Sequence, residues 1–97
     1  MSEFGKNLRD YCANAMPFMQ AFHGHVCSVC DALKVKHRAV YAECMNDTSR
    51  VARERMAHAD GELEVCIDLR DALAAQIEAV GGYLDEVKEA AKKEAKK

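Results

Sequence analysis

The sequence predicts an all-α fold: a helical hairpin or a three-helix bundle with coiled-coil-like packing and a long C-terminal helix. Three observations predict it. The chain is rich in Ala, Glu, Lys, Leu, Arg and Met, with one proline and no tryptophan in 97 residues, and these are strong helix formers. Its apolar residues recur at steps of three and four, the spacing of one face of a helix. Runs in which β-branched and aromatic residues alternate with polar ones, the mark of strands, are missing. The length fits one domain, read as residues 1–92 with a frayed basic tail over 93–97. A chain this short buries a modest core, which a disulfide, a metal or self-association often supplements.

The first element starts at Ser2-Glu3, a helix N-terminal signal. Its apolar positions are Phe4, Leu8, Tyr11, Cys12, Ala15, Met19 and Phe22. Pro17 lies inside this pattern and removes a backbone donor, so a kink or a fresh helix start is expected there. Gly24, in His23-Gly24-His25, reads as a stop. Phe18 falls off this face and Met16 sits at its margin. Met16, Phe18, Met19 and Phe22 therefore form a candidate adaptable contact surface. The plainer reading is that the Pro17 kink turns them into the core.

The second pattern is Val26, Cys30, Leu33, His37, Val40 and Cys44, with steps alternating four and three as in a heptad seam. Asn46-Asp47-Thr48-Ser49 follows and is the best turn signal in the chain, since each side chain can cap a helix or bend the backbone. A helix–turn–helix hairpin is expected there, with one unbroken helix as its rival.

The third pattern is the longest: Ala52, Met56, Ala59, Leu63, Cys66, Arg70, Leu73, Ile77, Val80, Leu84, Val87 and Ala91. Gly61 and the Gly81-Gly82 pair interrupt it, each glycine costing about 1 kcal/mol relative to alanine. The phase survives both sites. The expectation is a helix from about Ser49 to Val80 that can continue to about Ala91, with the glycine pair as the favoured break. Ile67 and Ala74 widen the stripe between Leu63 and Val80, which suits two neighbouring helices rather than one.

Formal net charge is −2, so global charge points to neither nucleic acid nor an anionic membrane. No stretch approaches the roughly 18 consecutive apolar residues of a membrane span. The polar start MSEFGKNLRDY is no secretory signal, so a cytoplasmic location, in its own cell or a host's, is expected. Charge is segregated along the chain. Lys34, Lys36, Arg38, Arg50, Arg53 and Arg55 dominate one segment. Asp60, Glu62, Glu64, Asp68, Asp71 and Glu78 dominate the next. Electrostatic matching between neighbouring helices, or between two copies, is the plainest explanation.

Five cysteines cannot all pair within one chain. The densest cluster is His23-Gly24-His25-Val26-Cys27-Ser28-Val29-Cys30. Thiolate and imidazole are the preferred zinc donors, so His23, His25, Cys27 and Cys30 are candidate metal ligands with zinc as the possible ion. A second distant pair of ligands is missing, and the plainer reading puts Cys30 in a core. Cys27 and Cys30 could instead be a redox pair, although the strand of a thioredoxin-like setting is not visible. His37 sits on the seam, and Arg70 is the one charged seam residue of the third pattern. No nucleophile elbow, Walker loop or HExxH motif is present.

These readings point to a non-enzymatic protein–protein interaction module: an adaptor, an assembly factor or a small inhibitor, self-associating as a homodimer. Its candidate contact residues are Met16, Phe18, Met19, Phe22, Arg50, Arg53 and Arg70. One alternative is a metal-binding or thiol-sensing protein that uses the His23–Cys30 segment. A second is a weak nucleic-acid contact by the basic residues beside the turn.

Overall fold

The structure, a computed structural model, describes residues 2–95. It consists of two helices, α1 (Glu3–Cys44) and α2 (Arg50–Ala95), packed on each other as an all-α hairpin with no strands among the described residues. Neither helix is long and apolar enough to cross a membrane. The three-helix alternative is not adopted.

Local chemistry accounts for the ends of the helices. Ser2 caps α1, its Oγ accepting from the N–H of Gly5 at 3.1 Å, and so satisfies one of the donors that a helix start leaves open. The turn forms where the Asn46–Ser49 cluster predicts it. Asp47 Oδ1 accepts from the N–H of Ser49 at 2.8 Å, and Ser49 Oγ accepts from the N–H of Ala52 at 3.2 Å. The Ser49 N–H holds the Asp47 carboxyl below the usual carboxylate range.

Several sequence expectations need correction. Gly24 does not stop α1, which runs on to Cys44. Pro17 is also inside that helix, so it starts no second one. α2 runs through Gly61 as expected, but the Gly81-Gly82 pair, the favoured break, does not interrupt it either, and no described residue has positive φ. A glycine stop needs a left-handed backbone to end the helix; here the glycines stay right-handed. The basic tail is helical through Ala95, and Lys96 and Lys97 lie outside the described residues.

A last correction follows from the first. Because α1 does not break at Gly24, its N-terminal part must stay in phase with the Val26–Cys44 seam. Counting back from Val26 by three and four gives His23, Met19, Met16, Cys12, Arg9 and Gly5; all of these lose exposure, and Ala15 is the one residue before Val26 and off this line that does so too. Of the expected face Cys12 and Met19 stay on this line, whereas Phe4, Leu8, Tyr11, Ala15 and Phe22 lie one residue, about 100°, round the helix from it. A break at Gly24 would have let the phase reset and buried the aromatic residues.

The chain divides into two compact units, Met1–His23 with Leu73–Lys97, and Gly24–Ala72. In the second unit Val40, Cys44, Ala52 and Ala59 form a buried cluster, with Met56 packed against it. Small side chains on both helices there allow close approach. Val26, Cys30 and Cys66 are buried further along the same seam. One ion pair matches the basic segment to the acidic one across the helices, Lys36 Nζ 3.1 Å from Glu62 Oε1; a second interhelical pair, Arg55 2.8 Å from Glu43 Oε2, lies within the basic segment. In the first unit the packing is lighter, with half-buried Cys12, Met16 and Met19 on α1 against half-buried Leu73, Ile77, Val80, Leu84 and Val87 on α2. Gly81 faces Met16 there, and a Cβ at that position would lie 3.8 Å from Met16 Cε, an ordinary contact.

Candidate functional site

Turning the α1 face by one residue leaves its best apolar side chains outside. Phe4 is 78% exposed, Leu8 41%, Tyr11 74%, Phe18 78% and Phe22 48%. With half-buried Ala15 they form one stripe whose steps alternate four and three, a second heptad seam beside the one that packs on α2. Between its residues lies a shallow groove of about 370 Å³ lined by Tyr11, Asn14, Ala15, Phe18 and Met19. Tyr11, Asn14, Ala15 and Phe18 stand at i, i+3, i+4 and i+7, the four corners of a hole that receives a knob from another helix.

The sequence-expected contact residues divide. Phe18 and Phe22 are on the exposed stripe, whereas Met16 and Met19 are half-buried toward α2. Arg50 is exposed and paired with Glu54 at 2.9 Å. Arg53 is exposed. Arg70 is half-buried, and its guanidinium donates to Asp71 at 3.1 Å. Phe4, Leu8 and Tyr11 complete the stripe. Sequence reasoning places them on the buried face, and the signal that could reassign them is the phase of the downstream seam carried back through Gly24.

The candidate metal ligands are not gathered. On an uninterrupted helix His25 is exposed while Cys30 is buried, so the two point to different sides. Among the described residues no three His, Cys, Asp or Glu side chains form a group that could hold a metal ion. The cysteine that Cys30 meets is across the hairpin. Cys30 Sγ lies 2.9 Å from Cys66 Sγ, and the Cys66 sulfur lies 3.7 Å from the Val26 carbonyl. The Cys66 thiol, and then burial, push the Cys30 thiol up from its ordinary value. None of the five cysteines is in a disulfide.

A polar cluster caps the same unit. His37 Nε2 lies 2.6 Å from Asp60 Oδ1, and the Tyr41 hydroxyl donates to Asp60 Oδ2 at 2.7 Å. The His37 and Tyr41 rings stack with centroids 4.5 Å apart. The Tyr41 hydroxyl and then His37 hold the Asp60 carboxyl below the usual range, and the same bond pushes the Tyr41 phenol up. This is the arrangement of an interhelical clamp: two groups of α1 grip one carboxylate of α2, and they lie within a seam rather than in an enclosed cavity. The chain matches no family model, no curated protein and no solved structure.

Proposed function

We propose that the chain is a non-enzymatic interaction module, acting in the cytoplasm of its own cell or a host's, whose working surface is the exposed stripe of α1. One observation carries the reading. Five large apolar side chains are exposed at heptad spacing while the same helix packs a neighbouring face on α2. Aromatic residues dominate the energetics of protein interfaces, and contiguous exposed apolar patches mark contact sites. The basic residues beside the turn favour this reading over nucleic acid, because Lys36, Arg50 and Arg55 are each engaged by a carboxylate. The test compares native chain with Phe18→Glu in capture of a partner from the source cell and in self-association. Loss of one or both in the variant supports the stripe; both unchanged overturns it.

The Cys30–Cys66 pair supports a second reading, in which the hairpin responds to thiol oxidation. Its sulfurs are 2.9 Å apart, and a disulfide needs about 2.05 Å. With glutathione disulfide as oxidant, one cysteine thiolate attacks and releases one glutathione. The other cysteine then displaces the second glutathione. The result is one protein disulfide and two reduced glutathiones. Intact mass after such treatment tests it: loss of two hydrogens, absent in Cys66→Ala, is the expected outcome, and an unchanged native mass removes the reading.

A further inference from the structure

We infer that the occupant of the α1 stripe is the same stripe of a second copy, running antiparallel, so that two hairpins pair through Phe4–Phe22. The inference rests on the interaction reading above and names its partner.

The stripe is symmetric about Ala13. Phe4 and Phe22 stand nine residues to either side of it, Leu8 and Phe18 five, and Tyr11 and Ala15 two. In a two-fold antiparallel pair each position therefore meets its mirror. Phe4 faces Phe22 of the other copy, Leu8 faces Phe18, and Tyr11 faces Ala15. The last pairing sets the largest polar-tipped ring of the stripe against its smallest residue. It seats that ring in the groove lined by Tyr11, Asn14, Ala15 and Phe18. A parallel two-fold pair would instead set Tyr11 on Tyr11 and Ala15 on Ala15, crowding one layer and emptying the next.

Three further observations agree. The residues flanking the stripe are Gly5, Cys12 and Met19 on one side and Asn7, Asn14 and Ala21 on the other. None is charged, so closing the pair strips no ion of water and opposes no like charges. The stripe lies one residue, about 100°, round the helix from the α2 seam. That is close to the right angle at which a helix of a four-helix bundle meets its second neighbour. Finally, the exposed fractions of the five large side chains, at roughly 200 Å² each, correspond to about 600 Å² per copy and about 1,200 Å² per pair. This is the lower edge of stable specific interfaces. The α2 residues along the same edge carry a single charge. The groove lined by Arg9, Ala13, Gly81 and Asp85 marks the opposite edge of this unit. The stripe therefore shares its own edge with Gln76, Ala79, Tyr83 and Ala90, with Glu86 the one charge among them.

Sedimentation of full-length native chain, Phe18→Glu and Leu8→Lys/Phe18→Glu tests both the surface and the register. Native chain is expected to dimerise between about 5 and about 500 µM. Phe18→Glu is expected to weaken the dimer at least tenfold. The double variant is expected to recover a substantial part of it, because the introduced lysine of each copy meets the introduced glutamate of the other, twice per dimer. In a parallel pair the two lysines would meet each other, as would the two glutamates, and the double variant would be weaker still. Asn14→Cys, in a Cys12→Ser background, is expected to cross-link across the two-fold axis, and outward-facing Lys6→Cys is not. Helicity by circular dichroism, unchanged in each variant, separates loss of pairing from loss of fold. A native chain that stays monomeric, a dimer indifferent to Phe18→Glu, or no recovery in the double variant overturns the proposal. A monomer that still captures a different protein, with capture lost in Phe18→Glu, overturns the second copy and leaves the interaction reading standing.

Discussion

Replacing glycines inside α2 tests the continuity of that helix directly. Gly61 and Gly82 lie in the interior of Arg50–Ala95, neither has positive φ, and a Cβ built at either one meets nothing within 4 Å. Alanine there adds no clash and asks for no forbidden backbone angle. It removes the extra freedom that glycine has in the unfolded chain and gains about 1 kcal/mol of helix propensity at each site. Gly61→Ala/Gly82→Ala is then expected to be more stable by about 2 kcal/mol. For a domain of this size that raises the melting temperature by roughly 8–16 °C. Urea unfolding followed by circular dichroism, at one fixed protein concentration so that self-association adds the same contribution throughout, measures it. The midpoint should rise with the slope unchanged. A lower midpoint in either single variant would refute the reasoning, since it would mean that the glycine serves a turn or a close approach that a straight helix does not contain.

Other consequences follow from the second unit. Oxidation of Cys30 and Cys66 joins residues 36 apart in sequence, which on a chain-entropy basis stabilises the hairpin by about 3–4 kcal/mol; urea midpoints with and without dithiothreitol should differ in the oxidised native chain and coincide in Cys66→Ala. Asp60 gives a pH dependence whose sign is fixed by its lowered pKa. Its contribution is present above the ordinary carboxylate value and is lost as pH falls below about 4, through the lowered folded value. Asp60→Asn should flatten that acid limb, and an acid limb identical to native chain would show that the clamp with Tyr41 and His37 does not form in solution. Tyr41 acts at the other end: its raised pKa adds stability that is lost as pH climbs above about 10, a limb that Tyr41→Phe should remove.

The two helices and their turn are largely legible in the sequence, and the reasons are local. Asn46–Ser49 is marked by side chains that cap and bend backbone, and Asp47 and Ser49 do both. The α2 seam is readable from Ala52 to Val87 because its phase never slips. The α1 seam is readable only from Val26 onward. Before that point the most hydrophobic residues are not the buried ones, so reading by hydrophobicity chooses Phe4, Leu8 and Phe22 over Gly5, Arg9 and His23. What decides between them is long-range: a helix continuous through Pro17 and Gly24 must obey the phase set beyond them. The Cys30–Cys66 pair is illegible for a related reason. Sequence proximity suggests Cys27 as the partner of Cys30, whereas the hairpin register brings up a residue from the other helix. Phe18 is named from the sequence as a contact residue set off the first apolar face; in the structure it is exposed and continues that pattern through the steps Ala15, Phe18 and Phe22.

Pairing of the exposed α1 stripe with the same stripe of a second copy is the central claim. Sedimentation velocity of the native 10.8 kDa chain beside Phe18→Glu, across a concentration series, measures it most directly. The account predicts a native boundary that moves to twice the chain mass as concentration rises, while Phe18→Glu stays at the mass of one chain with its helicity intact. Coincident boundaries at every concentration would contradict it.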